Sequence, residues 1–210
     1  MATLTQRGAE SVARLGILGG TFDPIHHGHL VAASEAWRQL ALDRVLFVPA
    51  GVPPHKPNSP ISPACHRLRM LELAIAGRPH FEISHVDLER PGPCYTVNTL
   101  ELLRAEWGPR PTFYFIVGAD SLTELATWYK PQRLINLCEL AVVERPGINV
   151  DLPQLEVQLP GLSSRVHRVR MPLLEISSSD LRARVREGQS ISYLVPPEAE
   201  AYIYEQNLYL

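Results

Sequence analysis

The densest chemistry in the sequence lies in Gly19-Gly20-Thr21-Phe22-Asp23-Pro24-Ile25-His26-His27-Gly28-His29. Residues 15–18 are apolar and lead into this string, and Leu30, Ala33, Ala36, Trp37 and Leu40 follow it at helical spacing. The string therefore sits where a strand ends and a helix begins. Glycines at such a junction let the backbone approach a phosphate closely, and the free N–H groups and positive end of the helix attract anions. His26 and His29 are three apart, a spacing that at a first helical turn aims both imidazoles into one pocket. The pattern reads as a nucleotide site with two acid–base-capable donors built in. A Gly-Gly pair after a strand also serves as a plain tight turn, and His-x-x-His as half of a metal site. Zinc would need a third and fourth ligand, and no nearby Cys or carboxylate cluster supplies them.

Three other stretches carry groups suited to the same work. Pro53-Pro54-His55-Lys56 lies in a proline-rich loop over residues 50–63, whose plain reading is a rigid surface linker. Following a parallel strand, it stands at the same sheet edge as the glycine turn, and Lys56 is then a mobile cation for phosphate oxygens. Gly118-Ala119-Asp120-Ser121 is a turn with a carboxylate and a hydroxyl at the end of another strand. Ile176-Ser177-Ser178-Ser179-Asp180-Leu181-Arg182 opens a helix with capping serines, and Arg182 projects toward whatever the cap binds. Its plain reading is an ordinary serine cap beside a solvated arginine.

The elements that must position these groups alternate. Short apolar runs at residues 44–49, 112–117 and 140–143 read as buried strands, with 81–84 a third-strand candidate that 86–89 extends and 166–171 a last, weaker one. Helical stripes follow Ser62-Pro63, which caps the first of them, then Cys94 or Thr96, Gln132 and Ser177, and again run over 196–207, where the role is packing only. Residues 147–161 are loose and proline-rich, with no chemistry assigned. The alternation implies an α/β, Rossmann-like doubly wound sheet, mainly parallel, with helices on both faces. Ligands of such folds bind outside the carboxyl ends of the strands at the switch point, where all four stretches can converge.

At 210 residues and 45% hydrophobic composition the chain suits one domain over 14–210, with residues 1–13 as a flexible tail lacking the apolar core of a signal peptide. A formal charge of -2 gives no general basic field for nucleic acid, and no apolar run approaches the ~20 residues of a membrane span. Cys65, Cys94 and Cys138 form no C-x-x-C pair and point to reduced thiols in a cytoplasmic protein. The sequence leaves room for a homo-oligomer.

The string at 19–29 resembles the signature of the nucleotidyltransferase superfamily, a glycine-rich turn followed by His-x-Gly-His or Thr-x-Gly-His. With Pro54-His55-Lys56, Tyr95-Thr96, Gly118 to Ser121, Trp128-Tyr129, Ile176 to Arg182 and Tyr193-Leu194-Val195-Pro196, the resemblance narrows to the bacterial nicotinate-nucleotide adenylyltransferases and runs from about Leu15 to the C-terminus. Cys94 stands where the family usually has Ser, and Ser179 and Leu181 stand for its Thr and Ile. The resemblance implies transfer of AMP from ATP to nicotinate mononucleotide, with Mg²⁺ carried on the triphosphate and no protein metal site. It implies ATP against Gly19, Gly20, Thr21, Phe22, His26 and His29, with Ser178 and Arg182 on phosphates and Gly118 and Asp120 on the adenosine side. It implies mononucleotide contacts from His55, Lys56, Thr96, Tyr129 and a stacking Trp128, and catalytic roles for His26, His29, Lys56 and Arg182. A phosphopantetheine adenylyltransferase would share the histidine and Ser178–Arg182 halves and leave Trp128-Tyr129 and the Pro54-His55-Lys56 loop unexplained. A non-catalytic nucleotide sensor would be expected to have lost catalytic positions that are all present here.

Overall fold

Strands buried on both faces build this architecture. In the computed structural model, which describes residues 12–52, 61–144 and 147–210, the elements follow in chain order. They are β1 (Arg14–Gly20), α1 (His27–Gln39), β2 (Arg44–Pro49), α2 (Ala64–Ile75), β3 (Phe81–Ile83), α3 (Thr96–Trp107) and β4 (Thr112–Gly118). Then come α4 (Ala119–Thr123), α5 (Pro131–Leu137), β5 (Glu139–Val143), α6 (Leu152–Gln158), β6 (Val166–Val169), α7 (Ser178–Arg186) and α8 (Pro197–Glu205). The strands form one six-stranded sheet in the order β3-β2-β1-β4-β5-β6, and every adjacent pair is parallel. The expectation of a mainly parallel sheet is thus met by a wholly parallel one. Chain order reverses between β1 and β4, which places the switch point there.

Successive side chains of a strand point to opposite faces, and the two cores follow that rule. Leu18, Val45, Phe47, Tyr114, Ile116, Ala141 and Val143 pack against buried residues of α1, α2, α7 and α8. Leu15, Ile17, Leu46, Val48, Phe113, Phe115, Val117, Leu140 and Val142 pack against α3, α4, α5 and α6. Among the described residues no helix is long and apolar enough to cross a membrane.

Several sequence expectations need correction. Val12 is buried and Ala13 N–H donates to Asp43 Oδ2, so residues 12 and 13 of the expected tail are packed. Residues 86–89 do not extend β3: Leu88 and Glu89 N–H both return to His85 O in a turn that buries the Asp87 carboxylate. Their Val-Asp-Leu-Glu alternation mimics a strand, but the carboxylate points inward to accept the Thr99 hydroxyl. Ser62 makes no side-chain cap for α2, whose N-cap is Pro63. The weak strand stops at Val169, two residues short of the expected 171. The proline-rich stretch 147–161 holds α6, where Asp151 accepts the Gln154 N–H as N-cap and Pro153 lies in the first turn.

Candidate active site

The site is assembled at the carboxyl edge of β1 and β4. At the end of β1, Gly20 O accepts the Ala50 N–H at 2.8 Å, which ties the glycine turn to the end of β2. The chain then bends through Phe22, a buried residue with φ 51, in the left-handed region that non-glycine residues rarely enter. Its ring packs on Phe47 at 5.9 Å and edge-on against His29 at 5.1 Å. A methyl group at Gly20 would meet this ring at 3.0 Å, so the second glycine gives the phenyl its place.

His26 is the N-cap of α1 and His29 its third residue. The His29 Nδ1 accepts the His26 N–H at 3.3 Å, reaching back as the acidic or amide side chain of a capping box does. With Nδ1 as acceptor, the ring proton of neutral His29 is on Nε2. The two imidazoles stack with centroids 3.7 Å apart. Gly28 makes this possible, since a Cβ there would lie 3.0 Å from the His26 ring.

Carbonyls of the turn are gripped from distant elements. Arg182 of α7 donates from Nη1 to Asp23 O at 2.7 Å, and the Ser178 hydroxyl donates to Pro24 O at 2.9 Å. Ser177, not Ser178, is the N-cap of α7, accepting the Asp180 N–H at 3.1 Å. The N-termini of α1 and α7 therefore face one hollow, and both bring positive dipole ends to it.

That hollow has a volume of about 490 Å³ and is lined by Thr21, Phe22, His26, His29, Gly118, Ser178 and Arg182 from the expected set. Its remaining wall comes from residues the sequence reading gave no role, including Asp23, Ile61, Glu144 and the 171–174 segment after β6. A smaller hollow of about 150 Å³ takes Gly19, Gly20, Thr96 and Trp128, with Asp87, Cys94 and Phe115. The larger is walled by Leu18, Ile116 and Val143, which belong to one core, and the smaller by Ile17, Val48 and Phe115, which belong to the other. The two hollows thus flank the end of β1, with Leu18 and Thr21 in the wall of the larger and Ile17, Gly19 and Gly20 in that of the smaller.

Trp128 stands edge-on to Phe115 at 6.1 Å. Its backbone N–H donates to Leu125 O at 3.1 Å and is thereby committed to the chain rather than to a ligand. Tyr129 is exposed and its ring lies tilted against that of Tyr95 at 4.5 Å, outside the lining of either hollow. Asp120 is also exposed and outside both linings, and its carboxylate lies over Gly118 where a Cβ would stand. His55 and Lys56 lie outside the described residues.

Beside the smaller hollow, a Cβ at Gly51 would come within 2.5 Å of the carbonyl oxygen of Asp87, one of its lining residues. Backbone cannot step aside as a side-chain tip can. Gly51→Ala is therefore expected to cost about 1–3 kcal/mol and to lower Tm by roughly 2–10 °C. A thermal melt checks this, and an unchanged Tm would mean that the 86–93 turn yields freely.

Comparison with known proteins shows the family. The cytidylyltransferase-like family matches residues 17–184. A Thermomicrobium roseum protein named probable nicotinate-nucleotide adenylyltransferase is 52% identical over 94% of this chain and 92% of its own length. A Roseiflexus protein of the same name is 46% identical over 95% of this chain and 99% of its own. Among solved structures, the Plasmodium falciparum nicotinic acid mononucleotide adenylyltransferase complexed with APC superposes with a TM-score of 0.76 at 22% identity, covering 94% of this chain and 97% of that one. At that identity the structural likeness speaks for the fold.

Proposed function

The chain belongs to the nicotinate-nucleotide adenylyltransferases within the cytidylyltransferase-like family, and from that premise we infer that it transfers AMP from ATP to nicotinate mononucleotide, giving nicotinate adenine dinucleotide and pyrophosphate. The observation that supports this reading best is the pair of hollows flanking the end of β1, the larger lined by the stacked histidines at the start of α1. A transferase joining two nucleotides needs two sites whose phosphates converge. In this reading ATP occupies the larger hollow and the mononucleotide the smaller, with Trp128 against the pyridine ring and the N-terminus of α3 at Thr96 near the nicotinate carboxylate.

An oxygen of the mononucleotide 5′-phosphate attacks the α-phosphorus of ATP. The new P–O bond forms as the bond to the β-phosphate bridge breaks, and pyrophosphate leaves with the electron pair. The nucleophile is already largely dianionic, its second pKa being about 6, so no strong base is required. What the protein must do is hold two polyanions together and stabilise the charge that develops. His26, His29 and Arg182 would be the donors for this, with Lys56 as a further cation, while Ser178, whose hydroxyl proton is given to Pro24 O, would meet a phosphate through its backbone N–H. The family's reaction uses a divalent metal. We take it to be Mg²⁺ entering on the triphosphate, since such an ion keeps much of its water and needs few protein ligands. The buried carboxylate beside the larger hollow, Asp23, is already occupied by the Tyr209 hydroxyl and the Ser62 N–H.

The test is pyrophosphate release from ATP with nicotinate mononucleotide, nicotinamide mononucleotide and phosphopantetheine in parallel. Preferred use of the nicotinate form is expected, and preferred use of phosphopantetheine would overturn the assignment. The same assay addresses Trp128. Stacking is indifferent to acid versus amide, so Trp128→Ala is expected to raise KM for both mononucleotides roughly tenfold and to leave the ratio of their specificity constants as it was. A ratio that collapses in the variant would put the selectivity on the indole itself.

A further inference from the structure

The C-terminal segment does more than pack. After α8 the chain turns through Asn207 and Tyr209, both with positive φ (51 and 70), and carries the Tyr209 phenol back to the glycine turn. Its hydroxyl donates to Asp23 Oδ1 at 2.7 Å, joining residues 186 apart in the chain. Asp23 is only 2% exposed. Its other carboxylate oxygen accepts the Ser62 N–H at 3.1 Å, and its own carbonyl oxygen accepts Arg182 Nη1 at 2.7 Å. One residue thus joins the C-terminus, the start of α2 and the arginine of the larger hollow. Burial and the Asp23 carboxylate both push the Tyr209 phenol well above the ordinary tyrosine range, so it stays protonated and donates at every working pH.

We propose that Tyr209 is a positioning residue for ATP: by fixing the Asp23 carboxylate, it fixes the Asp23 carbonyl that aims Arg182 into the larger hollow. Without the phenolic hydroxyl, Asp23 keeps one described donor, the Ser62 N–H, and its peptide can rotate. The nearer of the two described partners of Arg182 then moves, leaving Nη2 on Ser179 Oγ at 3.4 Å, and the guanidinium loses the direction in which it meets a phosphate. The effect belongs to the ATP side, because the smaller hollow contains neither Asp23 nor Arg182 among its lining residues.

The proposal rests on the adenylyltransferase reading for its kinetic form but not for its binding form. The experiment compares Tyr209→Phe with Tyr202→Phe. Tyr202 also tethers the C-terminal region, its hydroxyl lying 2.9 Å from His66 Nδ1 between α8 and α2, and its described polar partner is His66 rather than Asp23. We expect Tyr209→Phe to raise KM for ATP roughly 3- to 10-fold, with kcat and KM for nicotinate mononucleotide within twofold, and Tyr202→Phe to leave all three within twofold. ATP binding to the free protein, read by calorimetry without any mononucleotide, should weaken by the same factor in Tyr209→Phe alone. A wild type inactive on nicotinate mononucleotide would refute the functional reading, while the calorimetric comparison would still decide this one. Equal ATP affinity in Tyr209→Phe and wild type, or equal losses in both variants, would overturn the proposal and reduce the tail to packing. If Tyr209→Phe does not fold, the Asp23→Ala variant is measured in its place. It removes the carboxylate that the Tyr209 hydroxyl and the Ser62 N–H hold and keeps the carbonyl that Arg182 meets. Unchanged ATP affinity there would likewise overturn it.

Discussion

Exchange of His29 for alanine is expected to lower kcat by about 10²–10³, the usual loss when one donor to developing charge is removed. In the proposed arrangement His29 Nδ1 is held by the His26 N–H at 3.3 Å, leaving Nε2–H as the group that can reach a phosphate oxygen. That hydrogen bond strengthens as negative charge builds on the transferring phosphoryl group, so the loss should fall on turnover more than on KM. The variant also loses the reach-back acceptor at the start of α1, a cap effect of roughly 1 kcal/mol. His29→Gln separates the two effects. Glutamine at the third helical position is itself a capping-box residue, so it should restore most of the stability. As a neutral donor on a flexible stem, it should restore only part of the rate. Steady-state kinetics and thermal melts on both variants decide the matter. A His29→Ala enzyme with near-normal turnover would leave His29 as a helix cap and nothing more.

The sequence made the histidine turn legible because its chemistry is local. Gly19, Gly20, His26, Gly28 and His29 lie within one strand–helix junction, and the structure stacks the two imidazoles as their three-residue spacing allows. The strands were legible for a related reason: a parallel strand buried on both faces is a short apolar run, as in Leu140-Ala141-Val142-Val143. The failures come from signals that two structures share. Val86-Asp87-Leu88-Glu89 alternates like a strand, and nothing within it says that Asp87 will find the Thr99 hydroxyl. Residues 147–161 look like a loop because prolines dominate the eye. Asp151 followed by Pro153 is, however, a start signal for a helix, and α6 begins there.

The buried polar framework under the site was hardest to read. Asp23 stood in the quoted string, but its partners Ser62 and Tyr209 are far from it in the chain. One clue was available. The buried side of α2 is Arg67, Met70, Leu71 and Ile75, and an arginine on an otherwise apolar helical stripe signals a built polar contact. The expected roles of Asp120 and Tyr129 came from resemblance, and both residues lie outside the linings of the two hollows.

Arg67 carries the second large expectation. It is 2% exposed and donates from Nε to Ser62 O at 2.9 Å and from Nη1 to Thr21 O at 2.8 Å. Burial pulls its pKa below the ordinary arginine value, and the neighbouring Asp23 carboxylate opposes that shift. Replacing a buried ion by an apolar group of similar size is sometimes stabilising, but only when its counter-charge goes with it. In Arg67→Met the thioether fills the space, while Asp23 remains buried without its cation and the Thr21 and Ser62 carbonyls lose their donor. Breaking one side of such an arrangement costs about 3–5 kcal/mol, which for a chain of this size is a Tm lower by roughly 6–20 °C. Arg67→Lys keeps the charge, but an ammonium cannot span two carbonyls as the fork does, so it should fall between the two. The Arg67→Met, Asp23→Asn pair should be less unstable than the sum of its single changes, because the second change removes the stranded charge. Denaturant unfolding of the four proteins gives the coupling directly. If Arg67→Met is as stable as the wild type, the grip on the turn comes from Tyr209 and Arg182 without it. If the two changes simply add, the attraction between Arg67 and Asp23 is not what holds α2 against the glycine turn.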